Sequence, residues 1–189
     1  MINHFLRIFY RIFPKYRFIT FDEADNMINK LILDIKKDKF YPDIIIGILN
    51  GGLYPSKKIA KSLKKKNIFL GVNHYSIKLF GKEIEYFPFI KRLLYILGYK
   101  EKVRLVKGID IKLKSKKILI VDDECGTGST LKVAKNYLET KGAKPIKTAV
   151  LINYKENKEV DYWGKSSPKK LCMMPWVEIS PYYNKNFFK

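Results

Sequence analysis

From residue 20 to residue 153, apolar positions along the chain alternate between two rhythms. Met27, Ile28, Leu31, Ile32 and Ile35 recur at helical spacing. They follow Thr20-Phe21-Asp22-Glu23, a start in which threonine and glutamate each cap the other's backbone. After Pro42, the run Asp43-Ile44-Ile45-Ile46-Gly47-Ile48-Leu49 is short, apolar and rich in β-branched residues, as expected of a strand buried on both faces. Asn50-Gly51-Gly52 predicts a turn. Residues 55–65 predict a helix with Ile59, Ala60 and Leu63 inward. Further strands are predicted at 68–72, 117–121 and 147–153. Between the last two, a helix over 129–141 turns Leu131, Ala134 and Leu138 inward and ends at Gly142.

The remaining segments carry weaker patterns. In residues 1–17, Ile2, Phe5, Leu6, Phe9, Ile12 and Phe13 lie on one helical face, with His4, Arg7 and Arg11 on the other. Such an amphipathic extension packs on the domain or on a second subunit, the reading favoured here, or lies on a membrane surface. Residues 75–112 predict a variable arm or lid, with a short helix over 89–98 stopped by Gly98 and a hairpin arm over 103–113. After residue 153 the chain reads as irregular up to Pro175-Trp176. The expected organisation is an extension over 1–17 and one domain over 18–189. Alternating strands and helices predict an α/β fold, a mostly parallel twisted sheet with helices on both faces. Ligands of such sheets bind beyond the carboxyl ends of the strands, here just after Leu49, Val121 and Asn153.

Composition narrows the class. A chain of 189 residues, 47% hydrophobic and 30% charged, is globular rather than disordered. No apolar run is long enough to span a bilayer. The N-terminal apolar residues are interrupted by Arg7 and Arg11, which argues against a signal peptide. Two cysteines, Cys125 and Cys172, make no disulfide framework and fit a reducing, cytoplasmic compartment. The net charge of +20 is nearly all lysine, the only arginines being Arg7, Arg11, Arg17, Arg92 and Arg104. Readers of bases and phosphates lean on arginine for its bidentate fork, so nucleic acid is not the expected partner.

The chemistry concentrates in Ile118-Leu119-Ile120-Val121-Asp122-Asp123-Glu124-Cys125-Gly126-Thr127-Gly128-Ser129-Thr130-Leu131. An apolar strand ends in acids, and a loop of glycines and hydroxyl residues leads into a helix. Backbone N–H groups at the helix start cradle a phosphate, aided by the helix dipole. Thr127, Ser129 and Thr130 add hydroxyls, and Gly126 and Gly128 permit close approach. Asp122 and Asp123 suit sugar hydroxyls or a metal ion. Gly126-x-Gly128 is also a fragment of a dinucleotide-binding turn. The third glycine is missing, however, and the acid stands before the loop rather than about 20 residues after it.

This arrangement resembles the signature of the type I phosphoribosyltransferases, which bind 5-phosphoribosyl-1-pyrophosphate (PRPP). Asp43 to Leu53, with Asn50-Gly51-Gly52, looks like the pyrophosphate loop of that family. Asp161-Tyr162 and Pro175-Trp176 with Glu178 are similar to the hood of the xanthine, guanine and hypoxanthine enzymes. The resemblance implies transfer of phosphoribose to a 6-oxopurine, with Mg2+, in a homodimer. By that resemblance Asp122, Asp123 and Glu124 are catalytic. Asn50, Gly51, Gly52, Asp122, Asp123, Gly126, Thr127, Gly128, Ser129 and Thr130 bind PRPP. Lys155, Leu171 and Cys172 meet the base, with Asn153 a competitor for the role of Lys155, and Asp123 and Glu178 hold the metal. Three positions depart from the family pattern. Gly126 stands where an aspartate faces the purine, Asn50 where a lysine or arginine meets pyrophosphate, and Leu171 where an aromatic ring stacks on the base. The same residues also suit a PRPP- or nucleotide-binding regulatory protein with little or no turnover.

Overall fold

Thr20 opens the first helix, α1 (Phe21–Lys37), with the reciprocal cap expected of it. Its hydroxyl accepts the Glu23 N–H, and the Glu23 carboxylate accepts the Thr20 N–H. The computed structural model describes residues 16–74, 78–79, 82–83, 103–154, 156–167 and 171–177. The helix predicted within residues 1–17 and the one over 89–98 lie outside the described residues. The remaining elements are β1 (Tyr16–Phe18), β2 (Ile44–Ile48), α2 (Leu53–Leu63), β3 (Lys66–His74), β4 (Lys78–Leu79), β5 (Lys82–Glu83), β6 (Val103–Lys107), β7 (Ile118–Cys125), α3 (Ser129–Thr140), β8 (Ile146–Asn153), β9 (Tyr162–Ser166) and β10 (Leu171–Met173).

Six strands form the main sheet in the order β6-β3-β2-β7-β8-β9. Every neighbouring pair is parallel except β3 with β6, which is antiparallel. The apolar strand runs divide between the two faces by simple alternation. Ile45, Leu119, Val121, Ala149 and Leu151 pack with α1 and α2, while Ile44, Ile46, Ile118, Ile120 and Val150 pack with α3. Helices therefore cover both faces, and the expected α/β sheet is what forms.

Some expectations change. β7 runs through Cys125 rather than stopping at Val121, because its pairing with β8 continues from Asp122↔Val150 to Cys125↔Asn153. The acids are thus the last strand residues, as the expected strand ending in acids requires, with Cys125 added to them. The segment after residue 153 is not irregular. β9 pairs with β8 at the sheet edge, and β10 pairs in parallel with β1. Both strands are short and expose large apolar side chains, Trp163 at 36% and Leu171 at 37%, so no buried run or long alternation marks them. The boundary expected between residues 17 and 18 falls inside β1.

The order of the strands locates the place where a ligand can enter. From β2 the chain moves through α2 to β3 on one side, and later returns to β7 on the other. The crevice beyond the carboxyl ends of β2 and β7 is thus the switch point of the sheet, where α/β folds bind ligands.

Two substitutions test this framework. Thr20→Ala removes the cap of α1 and should lower unfolding free energy by about 1 kcal/mol. Ile120→Ala empties a fully buried site between β7 and α3 and should cost about 2–5 kcal/mol. Urea denaturation of each variant measures both.

Candidate functional site

The turn after β2 is shaped by contact with β7. Asn50 has a φ of 75°, a left-handed conformation that asparagine tolerates better than most side chains. A Cβ on Gly51 would lie 2.2 Å from Asp123 Oδ1, and one on Gly52 would lie 2.2 Å from the Val121 carbonyl oxygen. The two glycines are thus required by the approach of this turn to the acidic strand beside it. α2 starts at Gly52 with no side-chain cap and no acidic residue in its first turn.

Three consecutive carboxylates line the end of β7, and each accepts a different donor. Asp122 is 7% exposed, and its Oδ1 accepts the Asp123 N–H at 2.9 Å. Burial pushes its carboxyl well above the usual range, and the charge of Asp123 adds to this. Asp123 is also pushed up by burial, opposed by the indole N–H of Trp176, which reaches its Oδ2 at 3.3 Å. Glu124 accepts the hydroxyl proton of Tyr154, and that hydroxyl in turn accepts the Cys172 N–H at 2.8 Å. Burial first, then the charge of Glu124, pushes the Tyr154 phenol far up, so it remains a neutral donor. Among the described residues no ion pair is made to Asp122 or Asp123, and no cluster of three or more histidine, cysteine or carboxylate side chains forms a metal cage.

The glycine and hydroxyl loop enters α3 from the same end. Gly128 is the N-cap residue, with a φ of 79°, and no side chain caps the helix there. Thr127 Oγ1 lies 2.9 Å from the Oγ of Ser129, the first residue of the helix, and accepts the Ser129 N–H at 3.3 Å, while Thr130 follows in the first turn. No acid stands in the first turn of α3. The start of α1 is closed by its own capping box, whereas Gly52 and Gly128, the N-cap residues of α2 and α3, have no side chain to offer the N–H groups behind them. Such starts suit anionic ligands. The loop is braced from behind. Asn157 Nδ2 donates to the Gly126 carbonyl at 3.3 Å, and the Asn157 N–H donates to Asn153 Oδ1 at 3.0 Å. A Cβ on Gly126 would meet nothing within 4 Å.

The structure therefore gathers Asn50, Gly51, Gly52, Asp122, Asp123, Glu124, Gly126, Thr127, Gly128, Ser129 and Thr130 around one crevice. Lys155 and Glu178 lie outside the described residues. Leu171 is 37% exposed on β10. The Cys172 side chain lies in the core and its N–H is engaged by Tyr154. The Asn153 side chain is buried, with Nδ2 lacking a hydrogen-bond partner among the described residues. Burial also raises the Cys125 thiol to about 11, so it is no nucleophile at neutral pH. Sequence reasoning passed over Tyr154 and gave Trp176 no contact with the acids. Their only signal was position, Tyr154 directly after a strand and Trp176 two residues before an acid.

A sequence profile described as the phosphoribosyl transferase domain matches residues 21–184. The hypoxanthine-guanine phosphoribosyltransferase of Aquifex aeolicus is 27% identical over 123 residues, 64% of this chain and 59% of that protein. The protein of the same name from Lactococcus lactis is 37% identical over 75 residues, 38% of this chain and 40% of its own. The chain thus matches less than two thirds of the length of either relative. The crystal structure of a purine phosphoribosyltransferase from Pyrococcus horikoshii superposes with a TM-score of 0.67 at 27% identity, covering 86% of this chain and 93% of that one.

The buried acids make stability depend on pH. The folded state holds the Asp122 proton to higher pH than the unfolded chain, whose aspartates titrate near about 3.9. Its contribution is therefore fully present below about pH 4 and is lost as pH rises through the folded value. Asp122→Asn should raise Tm at about pH 7.5 and leave it near wild type at about pH 4. A gap of equal size at both values would contradict the assignment.

Proposed function

The chain belongs to the phosphoribosyl transferase family, and from that premise we propose that it transfers 5-phosphoribose from PRPP to a 6-oxopurine base and releases pyrophosphate. The observation that carries the proposal is the contact of the Gly51 turn with Asp123. It joins the two motifs of the sequence in one crevice at the switch point, beside the α2 and α3 starts whose N-cap residues are glycine. That is a place for a ligand with phosphate at both ends and hydroxyls between them.

In this reading the start of α3, with Thr127, Ser129 and Thr130, holds the 5-phosphate through N–H and hydroxyl donors. Asp122 and Asp123 hold the ribose hydroxyls. The turn Asn50-Gly51-Gly52 presents backbone N–H groups to the pyrophosphate, with the Asn50 amide as a neutral donor. Donors fixed toward developing charge are the largest single source of rate in such sites. A base nitrogen bonds to the anomeric carbon as the carbon–oxygen bond to pyrophosphate breaks, and the electron pair leaves with that oxygen. Glu124 accepts the proton released by the base. Tyr154, hydrogen-bonded to both Glu124 and the Cys172 N–H, carries the acid toward the hood strand β10.

A buried and a half-buried carboxylate, Asp122 and Asp123, with no described cation partner fit a divalent ion that brings most of its ligands from substrate and water. Asp123, with Glu178 by sequence, would hold Mg2+, which supplies neutralising charge at the pyrophosphate and ribose. The same reading puts the protein in purine salvage, as a homodimer, in a reducing cytoplasm that suits its two buried thiols, Cys125 and Cys172.

One observation favours a second reading, a PRPP- or nucleotide-binding regulator. The open space at Gly126 holds no acid where the family pattern has one. Pyrophosphate release from PRPP and Mg2+, assayed against hypoxanthine, guanine, xanthine, adenine, uracil and orotate, separates the two. Release dependent on a 6-oxopurine is expected; PRPP binding without release from any base would favour the regulator. Glu124→Gln should lower kcat by about 100-fold. Gly126→Asp, which the open space accommodates, should restore part of that loss in the Glu124→Gln background.

A further inference from the structure

We propose that Trp176 is a positioning residue for the acid run, its indole N–H holding the Asp123 carboxylate in the orientation that meets the ribose end of PRPP. The proposal rests on the phosphoribosyl-transfer reading above and assigns to the hood segment a role on the PRPP side of the crevice.

The carboxylate of Asp123 is bracketed from two directions. Trp176 Nε1 donates to Oδ2 at 3.3 Å, while Oδ1 lies against the bare Cα of Gly51, where a Cβ would come within 2.2 Å. No ion pair among the described residues holds this carboxylate. Backbone N–H groups and the Asp122 carboxyl also act on it, and the indole is the largest of these hydrogen-bonding influences and the one that comes from outside β7. Tryptophan has one donor and no acceptor, and at 6% exposure Trp176 has little water to offer it to.

The ring itself is clamped by the elements that open the crevice. Tyr54, in the first turn of α2, lies against it with centroids 4.9 Å apart and planes at 31°. Phe21, the first residue of α1, lies at 6.5 Å. Tyr54 is fixed in turn, its hydroxyl donating to Asp25 at 2.7 Å, with Lys58 on the other oxygen of Asp25 at 2.9 Å. A turn closed by the Val177 N–H on the Met174 carbonyl sets the indole facing inward. Phenylalanine would fill most of the same space, so packing alone does not require the N–H. What the N–H adds is a direction for the charge of Asp123.

The test compares Trp176→Phe with the wild type in steady-state kinetics. The expected result is a KM for PRPP raised about tenfold, with the KM for the base within about twofold of wild type. Equal changes in both constants, or none, would reduce Trp176 to a packing residue and overturn the proposal. Should Trp176→Phe fail to fold, Trp163→Phe, on a strand remote from the acids, leaves Trp176 as the sole tryptophan of the chain. Its emission should shift on saturation with PRPP and Mg2+ and stay unchanged with base alone; an unresponsive Trp176 overturns the proposal. Calorimetry separates the two levels of the argument. A wild type that binds no PRPP removes the functional reading and this inference together. A wild type that binds PRPP, beside a Trp176→Phe protein that binds it equally well, removes this inference alone.

Discussion

The contact between the bare Cα of Gly51 and the carboxylate of Asp123 is the constraint on which the site depends. Any side chain at residue 51 would occupy the space of Asp123 Oδ1, and any at residue 52 would collide with the Val121 carbonyl. The turn after β2 therefore reaches the end of β7 only because two adjacent residues have no Cβ. That approach sets the Gly52 start of α2 against the end of β7, whose acids lead through Gly126 and Gly128 into α3. Remove the contact and the two motifs become separate loops at the end of an ordinary sheet.

The acid row is a liability to the fold, and the surroundings limit it without removing it. Both carboxyls are pushed up by desolvation, and the charge of Asp123 raises the cost of charging Asp122 further. Among the described residues, Asp122 and Asp123 are met by neutral donors and not by a cation. The Asp123 N–H serves Asp122, the Trp176 indole serves Asp123 and the Tyr154 hydroxyl serves Glu124. Neutral donors orient carboxylates yet leave their charge largely unbalanced. A site arranged in this way favours a ligand that brings positive charge or hydroxyl donors with it, as a magnesium-bound sugar phosphate does.

Two of those three donors come from outside the β7 loop. Tyr154 stands at the end of β8, and Trp176 lies on the segment after β10. β10 is held by β1 in a small sheet of its own, and the Cys172 N–H ties it to Tyr154. The C-terminal segment is therefore joined to the acids through hydrogen bonds and to α1 and α2 through the stack of Trp176, Tyr54 and Phe21. In the proposed reading the three departures from the family pattern, at Asn50, Gly126 and Leu171, fall on the residues assigned to pyrophosphate and base, while those assigned to ribose and the 5-phosphate keep it. Asparagine at residue 50 has a local reason, since that position is left-handed.

By itself the sequence determined the layered α/β architecture and the location of the crevice. Both rest on short-range rules. A β-branched apolar run can only be buried on both faces, a threonine three residues before a glutamate caps a helix, and ligands gather where parallel strands end. The glycine turn and the acid run were legible for the same reason, because each is a local pattern at a strand end. What only the tertiary structure decided are relations between distant segments. That Gly51 is glycine on account of Asp123, and that Trp176 reaches Asp123 while Tyr154 reaches Glu124, depends on the strand order β3-β2-β7-β8 bringing residues 51, 123, 154 and 176 together. No periodicity records such neighbours. Edge strands β9 and β10 escaped notice for a related reason. Strands of five and three residues with exposed Trp163 and Leu171 are too short to show a period, and their partners are chosen by the assembled fold rather than by their own residues.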